Sequence, residues 1–551
     1  MTGWLTRREA WATAGLLFVA AVLVRVAFAR SVPFPTPEDT AYYVMAARNL
    51  VEGHGLTSDA IWSFQTPPLS FPRPAFEVWL PLPSLIMALP MVIFGTTFPV
   101  AQVPAILIGA IVPVLAWRLA LDVALERGLP AGRARTLAVG TGLTAMVELP
   151  LVLFSALPDS TAIFTVLVLA ACLVINRLRS DPRGASPGDP RLIGLGALIG
   201  LAALTRNEVI WLALAWAGLA WFTIRDSSGA RLPRPERLRL ILVPAAVALV
   251  FFVPWMARNW LVFGQALPGQ AAANALSVTG FDIFAWSDPP TLARYLAVGL
   301  GGLIQMRIDG LSHNLFSVLL VPSFPIGLIG LLRLPWTVWI RSIQPLLVVS
   351  LLIFWITTLV FPVATTWGTF LHAAGPVQVL LIVSCLLALD ALFVRLSALR
   401  RWTKEVAWLG ATLTVASAIL FSLTLGSYGQ QSADVAARYQ ALSDQMAAIG
   451  RPLATAGPVI ADFPIWLAYD ARINTLALPD EPPASVLDLA THFSGTQYLV
   501  ISEDHGQWPA VLAEGSPGAE CFHPIPLGTP ADPAAASALA GTQVFQIGCA
   551  P

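Results

Sequence analysis

Long apolar runs return along this chain from residue 10 to about residue 426, many of them close to the roughly 20 residues a helix needs to cross a bilayer. This recurrence constrains the fold more than any other feature. Inside hydrocarbon every backbone N–H and C=O must find a partner within the protein, and a helix supplies those partners by itself. The runs fall at 10–29, 100–123, 134–157, 160–177, 191–205, 208–224, 239–257, 312–334, 343–364, 372–396 and 405–426. Arginines collect between alternate runs, in "ERGLPAGRAR" (126–135), "RLRSDPRGASPGDPR" (177–191), "RDSSGARLPRPERLR" (225–239), "RLPWTVWIR" (333–341) and "RLSALRRWTK" (395–404). Such connections belong in the cytoplasm. The segments 30–77, 156–159, 205–208, 257–311 and 364–371 then face outward.

Soluble proteins carry about 25% charged residues, whereas this chain of 551 residues carries 12%, with 56% hydrophobic. A net charge of zero leaves no basic footprint for nucleic acid. The first run follows "TRRE" and ends in "AFARS", which has the look of a cleavage site, but it exceeds the 7–15-residue core of a cleaved signal. It is expected to stay as the first helix. Residues 78–95 break the alternation, because Pro81, Pro83 and Pro90 interrupt helical hydrogen bonding. They are read as a broken or re-entrant element. The expected fold is an all-α polytopic membrane domain, 1–426, of about eleven full crossings in the plasma (inner) membrane.

From residue 427 to 551 the pattern changes. Short β-like runs ("GPVIA", "INTLAL", "QYLVIS") alternate with helical stretches, which predicts a small extracytoplasmic α/β domain. It holds no Gly-rich phosphate loop and no nucleophile elbow, so it is read as a cap or an acceptor-docking module. Cys521 and Cys549 lie in this segment and can pair in an oxidising compartment, while Cys172 and Cys385 sit in apolar runs as small core residues. No metal-ligand spacing occurs.

The chemistry-bearing residues lie just beyond the first helix, in "TPEDTAYYVMAARNLVEGHGLT" (36–57). Locally, Thr36 reads as an N-cap, Pro37 as N1 and Asp39 as an acid closing a capping box. The location favours a second reading. Asp159 lies in another outward turn, and Arg206, Glu208, Arg258 and His372 stand at outward helix ends, while the span interiors are nearly free of charge. Arginines at helix ends also snorkel to the interface, and interfacial tyrosines such as Tyr42 and Tyr43 are common. Glu148, inside an apolar run, is a secondary candidate because intramembrane acids are costly. His54, between two glycines, reads as a turn residue.

The stretch "EDTAYYVMAARNLVEGHGLT" resembles the first-loop signature of the polyprenyl-phosphate-dependent GT-C glycosyltransferases, the superfamily of protein O-mannosyltransferases and lipid A aminoarabinose transferases. "WLPLPSLIMALPMVIFG" (79–95), "LTRNEVIWL" (204–212), "RNWLVFGQALP" (258–268), "GTFLHAAGP" (368–376) and the tail's "VIADFPIWLAYDARINTLALP" support it. The resemblance implies an outward active site in the loop 30–77, a lipid-linked sugar donor and an extracytoplasmic acceptor. It also implies a first-loop acid as general base, matched to Asp39, with Glu38 and then Asp159 as alternatives. A carboxylate within hydrogen-bond reach of the attacking hydroxyl can take its proton, and arginine forks suit a departing phosphate. Arg206 and Arg258 are expected at the phosphate, His372 beside it, and Tyr42, Tyr43 and Glu208 at the substrate. No cofactor is firmly implied; a divalent metal is conceivable but not favoured, since no acidic cluster accompanies Glu38 and Asp39. Two other classes compete. A transporter or flippase would place ionisable groups at mid-membrane and show paired broken helices. A non-catalytic envelope scaffold would not need acids in its first loop.

Overall fold

A computed structural model describes residues 6–180, 188–225, 228–401, 407–530 and 532–549. The first helix, Arg7–Ala29, starts on a capping box: Thr6 Oγ1 accepts from the Glu9 N–H, and the Glu9 carboxylate accepts from the Thr6 N–H. Among the described residues six helices qualify as membrane spans by length and composition: Arg7–Ala29, Phe98–Glu126, Ser160–Ser180, Arg234–Phe263, Gly375–Leu399 and Trp408–Ala448. A seventh is added if the bent pair Ala131–Val147 and Leu149–Ala156 counts as one. The sequence suggested about eleven. The difference lies in apolar helices of 10–17 residues, among them Pro190–Ala203, Val209–Phe222 and Gln344–Val360. The proline-rich element forms Leu82–Phe94, 13 residues with Pro90 inside. At 1.5 Å per residue it covers about 20 Å, short of the roughly 30 Å of hydrocarbon.

The run at 134–157, expected as one helix, bends by 52° at Glu148. Pro150 has no N–H to offer the carbonyl four residues back, and its ring collides with a straight continuation. Glu148 accordingly takes an extended backbone before the helix restarts.

The tail forms the predicted α/β arrangement, with one addition. Its sheet has six strands in the order Ala60–Ile61, Thr475–Ala477, Val459–Ala461, Tyr498–Ile501, Gln543–Ile547, Phe522–Pro524. The first four are parallel and the last two pair antiparallel. The edge strand Ala60–Ile61 comes from the first loop, four hundred residues upstream. More links join the same two regions: the Tyr428 hydroxyl donates to the Thr36 carbonyl at 2.7 Å, Ser432 Oγ to the Phe34 carbonyl at 2.8 Å, and Arg48 to the Tyr469 carbonyl at 3.1 Å. The helix leaving the bundle, Ala407–Ser422, resumes after a short turn as Leu425–Ala448, so the expected boundary at 427 falls within helix. Cys521 and Cys549 are bridged, and Cys172 and Cys385 are buried thiols.

Candidate functional site

The first-loop helix runs from Glu38 to Val51, with Pro37 as its N-cap and no side-chain cap. Thr36 therefore does not cap it. Its carbonyl is held by Tyr428 instead, and its hydroxyl is buried without a hydrogen bond. Asp39 thus sits in the first turn and is free of capping duty. Its Oδ2 lies 3.2 Å from His372 Nε2. On the far side of the ring, His372 Nδ1 lies 3.1 Å from Asp159 Oδ2 and 3.0 Å from Thr161 Oγ1. Asp159 is the N-cap of the helix Ser160–Arg179, accepting from the Thr161 N–H at 2.7 Å and the Thr161 hydroxyl at 3.1 Å.

The result is a line of three groups, Asp39–His372–Asp159. Asp159 is fully buried, His372 nearly so, and the Asp39 side chain keeps 25% of its exposure. Burial opposes charge on His372, but Asp39 and Asp159 outweigh it and hold the imidazole above its usual value. Gly368, at φ 114°, lets the loop pass close over the ring, since a Cβ there would lie 3.1 Å from His372 Cδ2 and Nε2. Phe154 meets the imidazole edge-on at 5.4 Å.

Arg206 and Glu208 stand beside this line. The guanidinium donates to the Glu208 carboxylate through Nε (3.2 Å) and Nη2 (2.7 Å), to Ser160 Oγ through Nη1 (2.9 Å) and to the Thr369 carbonyl through Nη2 (3.1 Å). Of its five N–H groups, one remains. Burial works against its charge, yet Glu208, Tyr43 and Asp39 together raise its pKa. Tyr43 is buried with its hydroxyl near Ser160 and Arg206; burial, then the charge of Asp39, push the phenol up.

The other expected residues lie elsewhere. Glu38 turns away from Asp39, accepting from the Ile465 N–H at 2.9 Å and Trp62 Nε1 at 3.4 Å. Burial raises its carboxyl to about 8 despite these bonds, with Asp462 and Asp39 adding to the rise. A carboxyl so placed is largely protonated at neutral pH. Tyr42 is fully buried, its ring tilted 31° against Trp79 at 4.1 Å between centroids, with its hydroxyl accepting from the Phe76 N–H at 2.6 Å. It shapes the loop from behind. Arg258 makes no ion pair among the described residues; it donates to Asn259 Oδ1 and lies over the rings of Trp255 and Phe263 at 4.8 and 5.1 Å. His54 sits in a turn between Gly53 and Gly55, both at positive φ.

Sequence reading passed over two features. Arg48 and Asn49, in the "ARN" run, clasp Asp59 at 3.1 and 2.9 Å and so tie the first-loop helix to the strand that enters the tail's sheet. Arg73 and Glu77 form a buried pair at 3.3 Å in a non-helical stretch, where spacing gives no signal. Among the described residues no group of three or more His, Cys, Asp or Glu is arranged to hold a metal ion.

Against the charged line opens an apolar cavity of about 340 Å³. Pro37, Phe154, Thr161, Leu371 and Tyr428 line its end next to the site, and Leu149–Leu151 and Leu153 line one wall. Thr161 belongs to both the cavity and the polar line.

The fold is similar to that of solved structures of GT-C glycosyltransferases. Among solved structures, the chain is similar to the apo oligosaccharyltransferase of Archaeoglobus fulgidus, at 13% identity over 95% of this chain and 74% of that one, with a TM-score of 0.52. It is similar over nearly its whole length to ArnT from Cupriavidus metallidurans bound to undecaprenyl phosphate, at 14% identity, covering 96% of this chain and 97% of that one, TM-score 0.51. The apo state of the same ArnT covers 98% of both chains at 12% identity and a TM-score of 0.50. No family model and no curated protein matches the chain in sequence.

Proposed function

We propose that the protein is a membrane glycosyltransferase that moves a sugar from a polyprenyl-phosphate-linked donor to an extracytoplasmic acceptor (glycan, lipid or protein), with Asp39 as general base. The observation that carries this reading is the direct abutment of the Asp39–His372–Asp159 line on the apolar cavity, with Thr161 in both. A lipid-linked sugar has the same two halves, and the cavity's size lies in the range of ligand sites, about 300–1,000 Å³. In this reading the chain crosses about eleven times, Leu82–Phe94 is re-entrant, and the site and the 427–551 unit face the outside of the plasma membrane.

The step is a displacement at the anomeric carbon. The acceptor hydroxyl gives its proton to the Asp39 carboxylate while its oxygen bonds to that carbon. The bond from carbon to phosphate oxygen breaks, and the lipid phosphate leaves with the electron pair. His372, anchored by Asp159, keeps Asp39 oriented until the proton arrives. Arg206 offers its remaining N–H to the phosphate, but Glu208 already balances its charge, so its contribution is a directed hydrogen bond rather than a free cation. The lipid-linked donor is the only small molecule this reading requires, with no metal assigned to the step. Extraction of the purified protein and mass spectrometry of its lipids tests the reading: a co-purifying lipid-linked sugar, consumed when acceptor is added, is expected. A protein that carries and turns over none would favour a flippase or scaffold.

A further inference from the structure

The first membrane helix carries one fully buried arginine, Arg25, which the sequence pattern does not single out. No carboxylate pairs with it among the described residues. Its partners are carbonyls. Nη1 donates to Ala21 and Met146, and Nη2 donates to Leu151, each at 3.3 Å. Met146 and Leu151 stand on opposite sides of the 52° bend at Glu148. Moreover, Met146 is four residues before Pro150, so its carbonyl is the one that the proline cannot serve. The guanidinium supplies the missing donor from another helix. A buried carbonyl without a donor is costly, so the arginine and the bend hold one another in place.

The helix after the bend, Leu149–Ala156, is the segment that matters for the site. Leu149, Pro150, Leu151, Leu153, Phe154 and Ser155 all line the apolar cavity, and Phe154 also meets His372 edge-on. We infer that Arg25 is a positioning residue for the lipid half of the donor: by clasping the proline-freed carbonyl of Met146 and the Leu151 carbonyl, it sets the cavity wall against which the polyprenyl chain lies. This rests on the reading of the cavity as the donor's chain site. Arg25 itself touches neither donor nor acceptor in this account. Lysine has no planar fork, so one ammonium cannot serve both carbonyls in the same geometry.

The experiment measures binding of undecaprenyl phosphate and of the two-isoprene geranyl phosphate to the detergent-solubilised full chain, as wild type, Arg25→Met and Arg25→Lys. Wild type should bind the long chain more tightly than the short one. Arg25→Met should lose roughly tenfold in long-chain affinity, as expected when a wall shifts by a fraction of an ångström, with geranyl phosphate little changed; Arg25→Lys should recover part of the loss. A general folding defect would weaken both ligands alike. Should Arg25→Met fail to fold, the double variant Arg25→Met/Pro150→Ala restores a backbone donor to Met146, and it should fold while still lacking the long-chain preference. Retention of that preference in either folded variant overturns the role of Arg25 and leaves the cavity reading standing. Absence of any chain-length preference in wild type overturns the cavity reading itself, and the role of Arg25 with it.

Discussion

Replacing Asp39 by asparagine separates chemistry from architecture. The change keeps size and leaves an oxygen for His372 at 3.2 Å, but removes the proton acceptor. A positioned acid–base group contributes about 10²–10⁴-fold, equivalent to roughly 2.7–5.5 kcal/mol of barrier at 1.36 kcal/mol per decade. The structural cost is much smaller. An acid in the first helical turn is worth about 0.3–1 kcal/mol. The side chain is a quarter exposed, so solvent screening discounts its pairing with His372. No capping hydrogen bond is lost. The assay follows turnover of the co-purified lipid-linked donor in nanodiscs, with undecaprenyl phosphate binding and thermal unfolding measured on the same preparations. Turnover should fall by two to four decades while binding and unfolding barely move. Turnover within threefold of wild type would falsify the assignment of Asp39. A parallel loss of stability would return it to a structural role.

The raised pKa of His372 gives a pH signature. Its stabilising charge is fully present below the ordinary value of 6.5 and is lost as pH rises through the higher folded-state value, so unfolding measured across that window should show a falling limb that His372→Gln abolishes. Gly368→Ala forces a left-handed backbone on a residue with a Cβ, at about 1–2 kcal/mol, and pushes that Cβ to 3.1 Å from the His372 ring; turnover should slow without loss of lipid binding. On denatured, unreduced protein a thiol count should find two groups, Cys172 and Cys385, and four after reduction. Truncation after residue 426 should abolish turnover even in a folded bundle, because Glu38, Arg48 and the strand Ala60–Ile61 all lose partners in the tail; an active truncated protein would refute that dependence.

Much of the polar line was legible in the sequence. Alternating arginine-rich connections predict that Asp39, Asp159, Arg206 and His372 share one side of the membrane, and the structure brings all four together. What the pattern could not give is which neighbours they choose. Arg206 pairs with Glu208, two residues away, and Arg258, equally well placed by count, lies among aromatic rings. Tyr42 and Tyr43 are adjacent, but successive helical residues point about 100° apart, so one faces the Trp79 side and the other Arg206. Thr36 carried a good capping signature that Tyr428, nearly four hundred residues later, overrode. The strand Ala60–Ile61 is two residues long, too short for any periodicity, and its partner is remote. The tail, read as a cap or docking module, proves to be built into the first loop.

That shared sheet has a bearing on synthesis. The Glu38 carboxyl and the Ile465 amide whose N–H it accepts are 427 residues apart in the chain. At about 5–20 residues per second, the ribosome needs roughly 20–85 s to make the second after the first. Throughout that interval the first-loop helix exists without the segment that anchors it, and Asp39 without its finished surroundings. A nascent or prematurely ended chain therefore carries every polar side chain of the first loop yet lacks the segment that holds them. The first-loop helix gains these partners only after the segment from Tyr428 to Thr475 has been made.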